Sequence, residues 1–285
     1  MRAYLPAYEM VVPRTLGEAL GLLREGAGVW RPFAGGTDLM VLLEAGRLEQ
    51  RKFFSIRHLS ELRGVGESDG VVRVGALTTY ADVRRSELLG RLFPMLGQAA
   101  RETGGIAIQN RGTVGGNIAN ASPAADTPPA LLAYDAEVEL VSADGARRVP
   151  YAEFHTGYKQ TVMRADELIA AVLLPKPPEG AQHFYRKVGT RRAQAISKVC
   201  FAAVASVEGE SLAEVRVALG SVAPVVLRCR RTEELLRGRA LDEETLRAAV
   251  EEIGREVTPI DDVRSTARYR TRVAQNLLRE FLSEL

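Results

Sequence analysis

Apolar residues recur at two periods along this chain, and the change from one to the other marks out its elements. Leu16, Ala19, Leu20 and Leu23 follow helical spacing. Thr15 with Glu18 three positions later is the signature of a capping box at the start of that helix. Leu39, Leu42 and Leu43 repeat the spacing over a shorter run, which Thr37 or Asp38 is placed to cap and Gly46 to end. From about Leu59 the pattern turns to strands broken by short helices. Val71 to Val74 alternates, whereas Leu92, Met95, Leu96 and Ala99 predict one amphipathic helix. Strand character returns at 137–141, Asp144-Gly145 marks a hairpin turn, and 168–174 reads as a further strand. Three more strand-like runs, 183–188, 198–207 and 214–220, precede helices predicted over 242–253 and 265–282.

Strands first and helices afterwards predict an α+β unit at the C-terminal end. Pro175, Pro177 and Pro178 with Gly180 form a stiff break before it. Together with the change of period near Leu59, that break divides the chain into expected units at 1–58, 59–175 and 176–285. Between Thr103 and Pro129 a glycine-rich stretch carries almost no long apolar side chains after Ile118 and reads as a loop. It is too long to be an idle connection in a compact domain.

Composition narrows the function classes. With 38 basic against 36 acidic residues the net charge is +2, too small a field to argue for nucleic acid or a membrane surface. The first ten residues lack the apolar stretch of a signal peptide and no run is long enough to span a membrane, so a cytoplasmic location is expected. Cys200 and Cys229 are the only cysteines, too few for a disulfide framework or for the four thiolates of an iron–sulfur cluster, and both read as buried thiols. His58, His155 and His183 are too scattered for a metal set, and no metal ligands are assigned. No catalytic acid or base is assigned either.

Two glycine doublets carry the candidate chemistry: Gly35-Gly36 before Thr37-Asp38, and Gly115-Gly116 after Gly112-Thr113 and before Asn117. Each sets backbone free of side chains beside a hydroxyl, a composition that lets main-chain N–H groups approach a phosphate. The first stands ahead of a predicted helix start, which favours an anion further. Neither a Gly-x-x-x-x-Gly-Lys run nor a Gly-x-Gly-x-x-Gly fingerprint is present. Two cradles together point to a diphosphate.

Read as one run, Gly112 to Asp126, together with Ala34 to Asp38, resembles the FAD-binding subunit of the molybdenum hydroxylases, the group that includes xanthine dehydrogenases and carbon monoxide dehydrogenase. The resemblance extends over essentially the whole chain. It implies an α+β fold in which two subdomains of the vanillyl-alcohol-oxidase (PCMH) type hold FAD and a C-terminal α+β domain with a small antiparallel sheet follows. It further implies that Arg31, Pro32, Phe33, Ala34, Gly35, Gly36, Thr37, Asp38 and Leu39 form one side of the FAD site. Gly112, Thr113, Gly115, Gly116 and Asn117 would form the other, with Asn120, Ser122 and Ala125 nearby. Asp126 matches an acidic residue on the adenosine ribose, Lys187 a lysine near the flavin ring, and Leu168 and Ile169 an apolar stretch along the adenine and ring region.

By the same resemblance, molybdopterin and [2Fe–2S] clusters belong to separate large and small subunits. Electrons would pass through FAD to NAD, oxygen or a quinone-linked acceptor. The loop from Thr190 to Ser197 lacks the acidic pair found in NAD-using relatives, which leaves the acceptor open. The purine-oxidising type is slightly favoured over the carbon monoxide type. A self-contained flavin oxidase and a non-enzymatic nucleotide-binding module are the alternative readings. Arg264, Arg268, Arg270 and Arg272 crowd the start of the last helix, as a solvated face or a surface for docking another subunit.

Overall fold

The computed structural model describes residues 7–191 and 194–285, so Arg192 and Ala193 of the 190–197 loop, and the first six residues, lie outside the described residues. Thr15 caps helix α1 (Leu16–Glu25): its Oγ1 accepts from the Glu18 N–H at 3.2 Å. Glu18 does not close the box. Its carboxylate accepts from the Arg14 N–H at 2.7 Å instead of from Thr15. Ala19, Leu20 and Leu23 face a small core beside a three-stranded parallel sheet of β1 (Glu9–Val11), β2 (Trp30–Phe33) and β3 (Lys52–Ser55), in the order β1-β3-β2. Helix α2 (Leu39–Glu44) follows β2 and stops at Gly46, whose φ of +67° suits a residue without Cβ.

The next stretch builds a five-stranded antiparallel sheet. Strands β4 (Val65–Ser68) and β5 (Val71–Gly75) lead into helices α3 (Tyr80–Arg85), α4 (Glu87–Leu92) and α5 (Pro94–Glu102). The single amphipathic helix expected around Leu92 to Ala99 is therefore two. Pro94 carries no N–H to continue α4 and occupies the first turn of α5 instead. The expected loop between Thr103 and Pro129 is likewise not loop throughout. It holds α6 (Ile106–Gln109) and α7 (Val114–Ala119), and its end enters α8 (Pro128–Ala133). Their brevity leaves too few apolar repeats to show a period. After them come β6 (Glu137–Ser142), β7 (Gly145–Pro150), α9 (Tyr151–Phe154), the small hairpin β8 (His155–Gly157) and β9 (Gln160–Thr161), and β10 (Leu168–Pro175). The sheet order is β4-β5-β10-β6-β7. Ile169, Val172 and Leu174 of β10 face the main core, while Leu168 and Ala170 face the α1 core. The central strand thus joins the two.

The remainder is a four-stranded antiparallel sheet of β11 (Gln182–Val188), β12 (Val199–Glu208), β13 (Ser211–Gly220) and β14 (Leu227–Arg228), followed by α10 (Arg230–Leu236), α11 (Glu243–Glu256) and α12 (Ala267–Ser283). Both faces of β12 are buried. Val199, Phe201, Ala203 and Ala205 face the helical layer with Ile253, Leu278 and Phe281. Cys200, Ala202 and Val204 face the main core with Leu131 and Tyr134. Period-two alternation therefore welds this sheet to both of its neighbours. Among the described residues no helix is long and apolar enough to cross a membrane.

The arginines at the head of α12 do not act as one group. Arg268 and Arg272 are exposed, but Arg270 is buried at 3% exposure. Its guanidinium donates to the carbonyls of Lys198 at 3.0 Å and Ser221 at 2.8 Å and to Asp262 at 2.7 Å. A solvated or docking role does not extend to it.

Candidate functional site

The two glycine loops meet. A Cβ at Gly35 would lie 2.0 Å from the Arg111 carbonyl oxygen, so the first loop can touch the second only where no side chain intervenes. Gly36 has φ of +76°, and a Cβ there would also strike the Phe33 ring. Arg111 Nε donates to the Gly35 carbonyl at 3.1 Å across the same junction. The doublet is thus used first to bring backbone against backbone.

The loops contribute differently to what they enclose. Among the described residues, the backbone N–H groups of Gly35, Gly36, Thr37 and Asp38 have no protein acceptor. In the second loop, the N–H of Val114 donates to Thr78 at 3.0 Å and that of Gly115 to Ala76 at 2.8 Å. The N–H of Gly116 is taken by the Thr113 hydroxyl at 3.1 Å, and that of Asn117 by the Thr113 carbonyl at 2.9 Å. Among the described residues the Thr113 N–H has no acceptor there. The expectation of two equivalent amide cradles is corrected accordingly. The first loop offers a run of free amides, while the second is spent on fixing itself to the segment 76–80. Asp38 occupies the N-cap position of α2 without a capping hydrogen bond.

Between the loops lies a cavity of about 450 Å³, within the usual size of a small-molecule site. Its wall includes Arg31, Pro32, Ala34, Gly35, Gly36, Thr37, Asp38 and Leu39 on one side, and Gly112, Thr113, Gly115, Gly116, Asn117 and Asn120 on the other. Leu168 and Ile169 close it together with Ile108 and Met163. The Asn117 Oδ1 atom is buried without any hydrogen-bond partner. An orphaned acceptor of this kind at a cavity wall is costly unless a ligand satisfies it. Unclaimed amides, an unpaired polar atom and an apolar far wall fit a ligand with a phosphate part and a flat apolar part, which is what FAD is.

Phe33, Ser122, Ala125, Asp126 and Lys187 are not on this wall. Phe33 packs beside it, its ring edge-on to Phe53. Asp126, 8% exposed, is held by Lys187 Nζ at 2.7 Å and by the Ser197 hydroxyl at 2.6 Å. Lys187 also donates to the Glu102 carbonyl at 2.9 Å. Burial pushes the Asp126 carboxyl up, and Lys187 and Ser197 pull against it. The Asp126 carbonyl accepts from the Tyr185 hydroxyl at 3.2 Å, and that hydroxyl is also in contact with the buried thiol of Cys200 at 3.3 Å. Burial pushes that thiol up, so it stays protonated. These residues tie the end of the second loop to β11 and β12.

One residue beside the site carried no signal in the spacing. Lys159, at the turn of the β8–β9 hairpin, donates from Nζ to Asn120 Oδ1 and from its backbone to the Ala121 carbonyl at 3.3 Å. Burial lowers its pKa, Asp38 opposes that shift and Arg31 adds to it. In the same hairpin His155 Nε2 donates to the Ile118 carbonyl at 2.9 Å, and burial keeps the ring neutral. Sequence proximity could not show this, because the hairpin reaches the loop only through the fold.

Comparison with known proteins agrees with this geometry. The family model described as the FAD binding domain in molybdopterin dehydrogenase matches residues 6–177, and that of the CO dehydrogenase flavoprotein C-terminal domain matches residues 183–285. The chain is 33% identical to the xanthine dehydrogenase FAD-binding subunit of Escherichia coli O157:H7, over 95% of this chain and 93% of that one. A solved structure of carbon monoxide dehydrogenase from Hydrogenophaga pseudoflava superposes with a TM-score of 0.93 at 29% identity, covering 97% of this chain and 96% of that chain. Quinoline 2-oxidoreductase from Pseudomonas putida 86 superposes with a TM-score of 0.91 at 26% identity, covering 99% and 97%. The chain therefore belongs to the FAD-binding family of the molybdopterin dehydrogenases, as an FAD-dependent oxidoreductase subunit.

Proposed function

We propose that this chain is the electron-transfer subunit of a molybdenum hydroxylase. In this reading it accepts electrons from iron–sulfur clusters on a small partner subunit and delivers them to NAD, oxygen or another acceptor. Substrate oxidation takes place at a molybdopterin centre on a large partner subunit. The observation that carries the reading is the cleft between the glycine loops, which has free amides and an orphaned Asn117 oxygen but no paired acid and base on its wall. FAD supplies the redox chemistry, and the protein supplies binding, orientation and electrostatics.

The free N–H groups from Gly35 to Asp38 and that of Thr113 bind the diphosphate, Asn117 satisfies its buried oxygen on the cofactor, and Leu168 with Ile169 excludes water from the apolar part. Asp126 and Lys187 act through each other, holding the second loop against the C-terminal sheet. Lys159 and Arg31 set a positive field at the Asp38 end. A purine-oxidising complex is favoured by the 33% identity to the xanthine dehydrogenase subunit against 29% to the carbon monoxide dehydrogenase medium chain of Hydrogenophaga pseudoflava. A cytoplasmic location accords with the redox partners of this reading.

The purified protein is expected to be yellow and to show a flavin absorbance spectrum; a colourless chain that takes up no added FAD would sink the proposal. Turnover of small alcohols or amines by the isolated chain would favour the self-contained oxidase instead. Asn117→Ala is expected to weaken FAD binding about tenfold, the worth of one buried hydrogen bond. Because Asn117 Oδ1 has no protein partner, the same variant leaves the stability of the apoprotein unchanged or slightly raised. Equal loss of stability and affinity would show instead that Asn117 is structural.

A further inference from the structure

Behind the glycine junction lies a second cavity of about 420 Å³. It shares Gly35, Leu77 and Thr113 with the cofactor cleft, and Arg111, which meets Gly35, lines only this second cavity of the two. Four arginines line it: Arg57 beyond β3, Arg63 beyond the short 3-10 helix Ser60–Leu62, Arg85 at the end of α3, and Arg111 between α6 and α7. Four separate stretches of chain therefore converge on one concavity.

All four are exposed to solvent, and among the described residues no carboxylate pairs with them, in contrast to Arg147 with Glu167, Arg228 with Glu233 and Arg270 with Asp262 elsewhere. Arg63 donates only to the carbonyls of Leu77, at 3.5 Å, and Arg57, and Arg111 only to that of Gly35. The side chains of Arg57 and Arg85 have no hydrogen-bond partner among the described residues. The one carboxylate on the wall, Asp82, already accepts from the Thr79 N–H at 3.0 Å and the Thr79 hydroxyl at 2.7 Å. Four arginines and one carboxylate thus line the concavity, an excess of positive charge.

Guanidinium forks pair bidentately with phosphate oxygens, and a single carboxylate ligand would leave most of this charge unanswered. The arrangement suits a compact ligand of several negative charges. We propose that this cavity binds a diphosphate-bearing ligand distinct from FAD, an inference that rests on the FAD reading of the neighbouring cleft. The diphosphate is the shared chemistry of a free pyrophosphate ion and of a nucleotide.

Calorimetric titration of the FAD-loaded protein with inorganic pyrophosphate and, separately, with ADP tests the proposal. One saturable site is expected, weakened about tenfold or more in Arg57→Gln/Arg85→Gln and by added salt, with the flavin spectrum retained. Tighter binding of ADP than of pyrophosphate would identify a nucleotide, and the reverse a free anion; either supports the site. No saturable binding, or binding that the double variant leaves unchanged, would overturn it. Binding seen only in apoprotein and abolished by FAD would also overturn it, because the anion would then occupy the cofactor cleft. Failure of the protein to hold FAD counts against the cofactor reading alone, since the effect of the double variant on pyrophosphate binding is read on the same preparation.

Discussion

Gly35 shows why a residue's meaning depends on what it approaches. Its hydrogen faces the Arg111 carbonyl where a methyl group would lie at 2.0 Å, against backbone that cannot swing away. Gly35→Ala is expected to cost about 1–3 kcal/mol in urea unfolding and to abolish FAD retention. Gly21→Ala, inside α1 with nothing within 4 Å of the added methyl, is the control and should stabilise by about 0.5–1 kcal/mol. Equal stabilities for the two variants would refute the account. Asp126 and Lys187 make a second case, because their side chains are 10% and 4% exposed and each leaves a buried charge if the other is removed. Asp126→Ala is expected to cost about 3–5 kcal/mol, and Asp126→Ala/Lys187→Met less than the sum of the single changes. Strictly additive costs would mean that the pair is not coupled. The residue types of the cleft were legible from the glycine doublets and their flanks. The bond between Asp126 and Lys187 was not, because 61 positions separate them.

At the scale of elements, the helices with repeated apolar faces were readable and those of one turn were not. α1, α11 and α12 each carry several apolar residues on one face. In α7 the decisive contacts are backbone bonds to Thr78 and Ala76, and in α6 they are made by the Gln109 side chain, which accepts from Arg84 and donates to the carbonyls of Arg101 and Thr103. The start of α12 supplies a pH test. Burial opposes ionisation of Asp262, yet the N–H groups of Arg264 and Ser265 and the guanidinium of Arg270 hold its carboxyl down at about 2, against a usual 3.8. Its contribution to stability is therefore complete above pH 3.8 and is lost as the pH falls through 2. Asp262→Asn is expected to be less stable than the parent at pH 6, with the difference closing as the pH approaches 2. A constant difference across that range would remove the carboxylate from the explanation.

For the whole molecule, the main core crosses the proline break. Tyr185, Cys200, Ala202, Val204 and Ala218 of the last sheet share it with Phe93, Leu131 and Tyr134. The Tyr134 hydroxyl accepts from the Met95 N–H at 3.2 Å and lies 3.2 Å from His183 Nδ1, so α5, α8 and β11 meet there. Apolar burial shared in this way makes the units unfold together. A single thermal transition, coincident by far-ultraviolet circular dichroism and intrinsic fluorescence, is expected. Two separated transitions would show that the C-terminal domain unfolds independently.

Hydrophobic period, turn residues and the two glycine flanks are local properties, and they sufficed for the α+β class, the longer helices and strands, and the loops that line the cleft. Which amides stay free, which oxygen stays unpaired, and which cations face the cleft depend on how distant segments meet. Thr78 and Ala76 take the amides of the second loop, and the β8–β9 hairpin brings Lys159 to Asn120. The same packing gathers four scattered arginines into one cavity. Hydrogen bonds and charge pairs act over a few ångströms in space regardless of separation along the chain, so the folded structure alone could assign them.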